Sequence, residues 1–586
     1  MTSASEANPW PSLVAVLAPA LCSYLVGWGW GLPSAERTAR VLLPEQRSID
    51  FFRELEANRR AHYERLGHNL QAAFGSGRWS GALVDPSDSF QAVCHAAGPA
   101  VNPVLMHGFS SFLLRSVEQD EQFVLNAISR INPKRLEFDT RQSLYGGAYI
   151  YPMAGALALA HVLGALRLVP DPLFYYQNAE QIAAMYRVGR LFSALCALGC
   201  SVLVYLIARR LYDGRVAWWT AALFSLCPAV NAFSHVMKPH LPAALLSLGC
   251  AFYCLRAAQE GRDGDWLKAN VLFGLAVGSV KYTWVLIAPM WALFLAAHHF
   301  RPPSRALLRM LAFNAASVAV FFVFNPYVPF AWRDFLDEMR GMARWYEPTL
   351  SPVALAQFFW SPLRYGLSTG LWAAAMGGLA WALYRRSRQD KWALWLLAPW
   401  LLGAAYLVGT SGPNAVSARM FLGGLALLSM LAAAGLVEGL GRLMPRAARC
   451  GLAALWLGEL ALAGAYDANF LMDSPGKSNS FSAAEWIERE IPAGRSIGMS
   501  SPAPMLDRFP PIPFSRYELV FLQGDIKGQP DGVFPDHFVN NASWHEGVDP
   551  EIKRRYRTER NFSSFIRDHF TSANFPIVIL SKDKRK

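Results

Sequence analysis

The sequence predicts an all-α polytopic membrane protein of about eleven transmembrane helices, with a long extracytoplasmic first loop and a small extracytoplasmic α/β tail. Three observations predict that class. Of 586 residues, 53% are hydrophobic and only 17% charged, too little charge for a soluble chain that would divide into several domains. The apolar residues come in long runs, and a hydrocarbon core needs about 20 apolar residues of helix to cross it. The basic residues behind the net charge of +12 fall largely into short loops between those runs. That is a pattern of membrane topology, not of a nucleic-acid-binding patch.

The first apolar run, Ser12–Gly31, lacks a basic leader and a small-residue cleavage site, and is therefore predicted to be a retained span. A polar stretch follows to about Ser143, with helix-like charged segments such as Phe51–Phe74. Gly146–Leu166 is moderately apolar. Further spans are predicted at Leu191–Ala208, Val216–Ser234 and Leu241–Arg256. Ala269–Ala297 is too long for one upright helix and contains Lys281 and Pro289, so it divides into two short spans. Leu307–Phe324, Gly366–Tyr384, Trp392–Gly409, Met420–Val437 and Gly451–Ala465 complete the set.

Orientation follows from the basic loops. Arg209, Arg210 and Arg215 form one. Arg256, Arg262 and Lys268 form the next, and Arg301, Arg305 and Arg309 another. Arg385, Arg386, Arg388 and Lys391, then Arg442, Arg446 and Arg449, form the last two. They alternate with basic-poor turns and are expected to face the cytoplasm. With the amino terminus inside, Gly146–Leu166 cannot be a full span, and its Tyr- and Gly-rich start suits a helix lying at the outer interface. The membrane domain is thus expected over 1–466, with its first outside loop over 32–190, and an extracytoplasmic domain over 467–586.

In that tail, Ser482–Glu490 reads as a short helix, and Arg495–Met499, Tyr517–Leu522 and Pro576–Leu580 read as strands. Of the eight cysteines, only Cys94 lies in a clearly polar stretch. Neither a disulfide framework nor a zinc spacing is visible.

Several charged groups stand at the predicted outer face. Asp120-Glu121 opens a helix-like stretch before the interfacial element. An N-cap Asp and a first-turn Glu explain the pair by the helix dipole alone; a general base facing a lipid-borne substrate explains it by chemistry. Lys238 and His240 flank Pro239 in the first short outside turn, either as interfacial side chains or as a cation and an imidazole over a phosphate or metal. Lys281 is expensive within an apolar run unless it reaches water or an anion. Arg419 stands at the outer start of a span, where its planar fork suits a phosphate or a salt bridge. Arg187 and Arg190 read as interface anchors, and the acids of Trp332–Glu347 as a solvated amphipathic face.

These residues resemble the GT-C class of integral-membrane glycosyltransferases, nearest the protein O-mannosyltransferase and aminoarabinose-transferase group. The acid pair Asp120-Glu121 in a long first outside loop carries the resemblance. So do the arginine-led span Arg187–Arg215, the Gly-rich stretch Gly274–Tyr282 ending at Lys281-Tyr282, and Ala418-Arg419-Met420 at a late span. The tail segment SAAEWIEREIPAGRSIG is similar to the start of the extracytoplasmic domain in many such enzymes.

The resemblance implies sugar transfer from a polyprenyl-phosphate donor at a bacterial inner membrane, to an acceptor the sequence leaves unidentified. Asp120 would be the base with Glu121 in support, and Lys281, Arg419, Lys238 and His240 would contact the donor phosphate. Many relatives carry an acid in the second outside loop, where this chain has Lys-Pro-His, and His240 is the candidate to stand in its place. One acid pair and one His make a thin site for a divalent ion, so no metal or other cofactor is assigned. A transporter or flippase of lipid-linked saccharide, and an envelope-assembly scaffold, are the alternatives.

Overall fold

The computed structural model describes residues 10–65, 93–96, 109–110, 112–118, 120–140, 145–286, 303–345, 352–411, 415–499, 509–522, 532, 534–541 and 550–583. Most of them are helical. The helices are α1 (Trp10–Leu25), α2 (Ala35–Val41), α3 (Ile49–Arg65), α4 (Asp120–Ile128), α5 (Gly147–Val162), α6 (Pro172–Gln177), α7 (Ala179–Leu211), α8 (Gly214–Leu226), α9 (Pro228–Ser234), α10 (His240–Glu260), α11 (Asp263–Ser279), α12 (Pro303–Phe324), α13 (Trp332–Trp345), α14 (Pro352–Phe358), α15 (Thr369–Arg385), α16 (Arg388–Ser411), α17 (Leu422–Ala434), α18 (Pro445–Met472), α19 (Asn479–Glu490) and α20 (Pro550–Arg555).

Local chemistry sets where these helices start and stop. The Asp213 carboxylate accepts from the Val216 N–H at 2.8 Å and starts α8 directly after α7, so the pair forms a tight antiparallel hairpin. Pro228 begins α9 and breaks it from α8 with a bend of 56°, as a proline without an N–H and with fixed φ requires. The bend frees the Ser225 carbonyl, which accepts from the Tyr24 hydroxyl. Beside it, Asp467 accepts from Ser23 at 2.8 Å and from Asn231 at 3.1 Å, a buried polar brace of the kind a broken apolar helix needs. Close approach of helices depends on glycine: a Cβ at Gly274 would lie 2.4 Å from the Ser317 carbonyl oxygen, and one at Gly378 2.0 Å from that of Leu431.

Four helical stretches among the described residues are long and apolar enough to cross a bilayer: Ala179–Leu211, His240–Glu260, Ala418–Leu443 and Pro445–Met472; α8 with α9 makes a fifth as a bent span. At the other predicted spans, α1 has 16 residues, α11 and α15 have 17 each, and α12 and α16 have 22 and 24. The second half of Ala269–Ala297 lies outside the described residues. Gly146–Leu166 forms α5, with Leu159, Val162 and Leu163 exposed.

The basic loops gather at one end of the bundle. Arg210 joins the first to the second through Gln259 at 2.6 Å and through Glu260. Arg309 reaches Asp263 at 3.8 Å. Tyr212 donates to Asp390 at 3.2 Å, and Arg385 of that fourth loop pairs with Glu438 next to the fifth.

The other end carries a six-stranded sheet in the order β1-β3-β2-β4-β6-β5. Its strands are β1 (Val93–Ala96), β2 (Ser496–Met499), β3 (Glu518–Leu522), β4 (His537–Asn541), β5 (Tyr556–Phe562) and β6 (Ile577–Lys582). β2 runs parallel to β3 and β4, and the remaining pairs are antiparallel. β1 comes from the first loop and pairs with β3. Helix α19, capped by Ser478, packs Ala483, Ala484 and Ile487 against Ile497, Leu519 and Ile577. The same core contains Phe52, Leu55, Phe112 and Tyr176 of the first loop, so loop and tail fold as one layer.

Candidate functional site

The charged groups singled out in the sequence converge where several helices end opposite the basic loops. Lys238 lies in the turn between α9 and α10. Glu121 accepts from the Met237 N–H at 2.7 Å, and the Lys238 N–H closes on the Val236 carbonyl at 2.9 Å, so the turn is pinned at Met237 and Lys238. The Lys238 ammonium, 2% exposed, bridges Glu118 Oε1 at 2.6 Å and Asp120 Oδ2 at 2.8 Å. Arg419 Nη1 approaches the same Asp120 oxygen at 3.5 Å. Asp120, at the start of α4, keeps 32% of its side chain exposed; it is the accessible acid of the cluster.

Burial of Asp120 favours the neutral carboxyl, but the Lys238 and Arg419 charges outweigh that and hold it well below the usual carboxylate range. Burial likewise disfavours a charged Lys238, and the facing Asp120 and Glu118 carboxylates more than compensate, raising its affinity for the proton. Asp120 and Lys238 are therefore both ionised near neutrality.

His240, the first residue of α10, stacks on Tyr282 with ring centroids 5.9 Å apart, and its Nδ1 is 3.4 Å from the Tyr282 hydroxyl. That hydroxyl donates to the Arg419 carbonyl at 3.4 Å. His240, Tyr282 and Arg419 thus form one wall beside Asp120.

Two residues sit elsewhere. Glu121 points away from the exposed Asp120 carboxylate: Arg190 holds it in a two-pronged ion pair at 2.9 and 2.8 Å, and neither side chain has any exposed surface. This corrects the reading of Arg190 as an interface anchor. Its guanidinium also donates to the Trp28 and Trp30 carbonyls at 2.9 and 2.8 Å, a fully buried structural post. Arg187 is a partly exposed neighbour of Glu180 at 3.7 Å. Lys281 stands apart from the Asp120 cluster, over the Phe321 ring at 5.5 Å, and its ammonium has no hydrogen-bond partner among the described residues. The charge it faces is Glu338 of α13. Glu338 is buried, so it departs from the solvated face expected of that helix, on which Asp334 and Asp337 are exposed.

Sequence reasoning missed Glu118, two residues before Asp120 in the same acidic string. It also missed that a turn of the tail approaches the site. Asp568 accepts from the Phe570 and Thr571 N–H groups at 2.7 and 3.0 Å and shapes a turn that enters the helical bundle. There His569 stacks on Tyr365 at 4.0 Å, and Phe570 packs on Phe233 at 5.9 Å. Phe233 in turn lies 6.1 Å from His240, so rings run without a gap from the tail to the site. No sequence signal pointed to this turn, because its partners lie far away along the chain.

Residues 183–330 match the family model of the dolichyl-phosphate-mannose-protein mannosyltransferases. Over that segment, about a quarter of the chain, the protein is similar to a family of glycosyltransferases. The matched segment runs from α7 to the residues before α13 and contains Arg190, Lys238, His240 and Lys281. Among solved structures, the chain is similar to ArnT from Cupriavidus metallidurans bound to undecaprenyl phosphate, with 12% identity, 97% of this chain and 98% of that one covered, and a TM-score of 0.43. It is also similar to the archaeal oligosaccharyltransferase AglB from Archaeoglobus fulgidus, in complex with an inhibitory peptide and a dolichol-phosphate. There the identity is 14%, the coverage 78% of this chain and 72% of that one, and the TM-score 0.40. Among curated proteins none matches the chain significantly by sequence.

Proposed function

We propose that the chain moves a sugar from a polyprenyl-phosphate donor to an acceptor hydroxyl outside the cytoplasm, with inversion at the anomeric carbon and Asp120 as general base. The observation that carries this reading is the Asp120 carboxylate itself. It is accessible, ionised and flanked by Lys238 and Arg419 at 2.8 and 3.5 Å, at the end of the bundle opposite the basic loops. The description of the matching family supplies the donor class. In this reading the basic loops and the amino terminus face the cytoplasm of a bacterial inner membrane, the chain crosses about eleven times, and the first loop and tail lie outside.

In the transfer step, Asp120 takes the acceptor proton. The acceptor oxygen bonds to the anomeric carbon as the bond from that carbon to the phosphate oxygen breaks. Arg419 and Lys281 stabilise the charge that builds on the departing lipid phosphate. Asp120 is a weak base while both cations face it. Arg419, the more distant, turns to the donor phosphate, which relieves the carboxylate of one positive neighbour and strengthens it as a base. Glu121 acts from behind, through its hold on the Met237–Lys238 turn.

Purified protein supplied with labelled polyprenyl-phosphate sugars and an envelope extract as acceptor source should release polyprenyl phosphate and label the extract. Folded protein that transfers from none of these donors sinks the reading. One observation favours a transporter instead: Glu459 and Asp467 of α18 are buried and meet Ser368 and Ser23–Asn231 inside the bundle, and intramembrane acids often mark proton or solute paths. Substrate movement across liposomes without sugar transfer would establish that second reading.

A further inference from the structure

Acids beside a phosphate-bearing donor invite a divalent cation, which requires oxygen ligands at about 2.0–2.6 Å. Of the buried donor atoms here, Glu118 Oε2 and His240 Nε2 are without a hydrogen-bond partner, and two are too few to hold one. Glu118 Oε1 and Asp120 Oδ2 both close on the Lys238 ammonium, at 2.6 and 2.8 Å, so an ion bound between them would have to displace Nζ. Glu121 is taken up by Arg190, Ser116 and the Met237 N–H. His240 turns one face to Tyr282. Among the described residues no group of three His, Cys, Asp or Glu side chains is arranged to hold a metal.

We infer that Lys238 is the resident cation of this site, bridging Glu118 and Asp120 in the position a divalent ion would take, so that transfer runs without divalent metal. The inference rests on the proposed transferase reading. Lys238 is then a positioning residue. Its ammonium fixes Asp120 Oδ2 and leaves Oδ1 for the acceptor proton, while Glu118, 2% exposed, anchors the ammonium from the buried side. Three features hold it there: Pro239 fixes the turn, Glu121 holds Met237 N–H, and the two carboxylates flank Nζ.

The test uses full-length protein in detergent, with Mn²⁺ as the probe and paramagnetic resonance of the free ion as the readout. Wild type should take up no stoichiometric Mn²⁺, and its donor turnover should be unchanged by EDTA. Lys238→Met leaves two carboxylates facing one gap. It should bind one Mn²⁺ per chain at least about tenfold more tightly than wild type, because a positive charge touching both acids is gone. Adding Glu118→Gln should abolish that gain. Turnover of Lys238→Met should fall and recover in part with Mn²⁺, while Lys238→Arg should stay metal-independent.

Stoichiometric Mn²⁺ on the wild type, lost in Asp120→Asn, overturns the inference. So does equal Mn²⁺ affinity in wild type and Lys238→Met, or wild-type turnover abolished by EDTA and restored by Mn²⁺. Should Lys238→Met fail to fold, the wild-type titration still decides. Mn²⁺ binding needs no turnover, so failure of this inference is distinguishable from failure of the transferase reading.

Discussion

Glu121→Gln separates a residue that holds the site from one that works in it. The Glu121 carboxylate accepts from Arg190 Nε and Nη2 at 2.9 and 2.8 Å, from Ser116 Oγ at 2.6 Å and from Met237 N–H at 2.7 Å. A glutamine keeps one acceptor oxygen, but turns an amide donor toward a guanidinium donor and leaves the Arg190 charge uncompensated in a fully buried place. Removing one partner of a buried ion pair costs about 3–5 kcal/mol. Arg190 retains its bonds to the Trp28 and Trp30 carbonyls and its stack on the Trp30 ring at 4.7 Å. These place the loss at the lower end, about 3 kcal/mol, or roughly two decades in the unfolding equilibrium.

The assay is denaturant unfolding in mild detergent, run as a cycle with Arg190→Met and the double variant. The double variant should be less damaged than the sum of the singles, as expected for groups in direct contact. Turnover should fall together with stability, because the Lys238 turn loses its anchor at Met237. Glu121→Gln with wild-type stability and lost turnover would refute the argument and give Glu121 a direct part in the chemistry. Strictly additive single effects would refute the pairing.

Asp120→Asn should slow turnover by about 10²–10⁴-fold, the usual contribution of a general base, with donor affinity little changed in a direct titration. Lys281→Met keeps the apolar stem and removes the ammonium; titration with polyprenyl phosphate should show affinity weaker by roughly one to two decades, from about 1.5–3 kcal/mol for a bond to a charged group, and equal affinities would remove Lys281 from the site. Burial pushes the Asp568 carboxyl up to about 6, so the docked tail turn binds a proton more tightly than the free chain does. Docking is then favoured at low pH and weakens as pH rises from about 4 to about 6, with no further change above. Hydrogen exchange across 568–575 should show more protection at the acid end. Asp568→Asn should shrink the difference, the remainder coming from Asp473, which is buried with its carboxyl likewise raised to about 6.

What the sequence made legible is what local pattern encodes. Basic residues in short loops are placed by membrane topology, and those loops do meet at one end through Arg210, Tyr212, Arg309 and Arg385. The strands β2, β3 and β6 are apolar enough to be read directly. β5 is not, since Tyr556–Phe562 is a largely exposed edge strand, and β1 has its partner in a distant part of the chain. Pairing is the part no local pattern encodes. Arg190 reads as an anchor because the acid that buries it is 69 residues away. Asp120 and Glu121 read alike, yet adjacent residues on a helix point about 100° apart, so only one of them faces the opening. Which one does so is decided by Arg190, not by the acidic pair.

The site also has a logic in where its charges sit along the chain. Lys238 lies in a turn between helices, Lys281 just past the end of α11, Arg419 in a 3₁₀ segment before α17, and Asp120 at the start of α4. At membrane depth, charge and non-helical backbone are tolerated where they line a cavity or are buried in protein. The candidate site residues share that placement at the ends of apolar runs, and their partners lie elsewhere along the chain. Those partners leave the resting cluster balanced, with Glu118 and Asp120 against Lys238 and Arg419, and Glu338 against Lys281. In the proposed reaction an arriving phosphate obtains a cation only by drawing it from its acid. Lys238 is held at 2.6 and 2.8 Å by two carboxylates, whereas Arg419 stands 3.5 Å from one. In that proposal Arg419, the cation farther from Asp120, is the one that turns to the phosphate, and Asp120, still held by Lys238, becomes a stronger base.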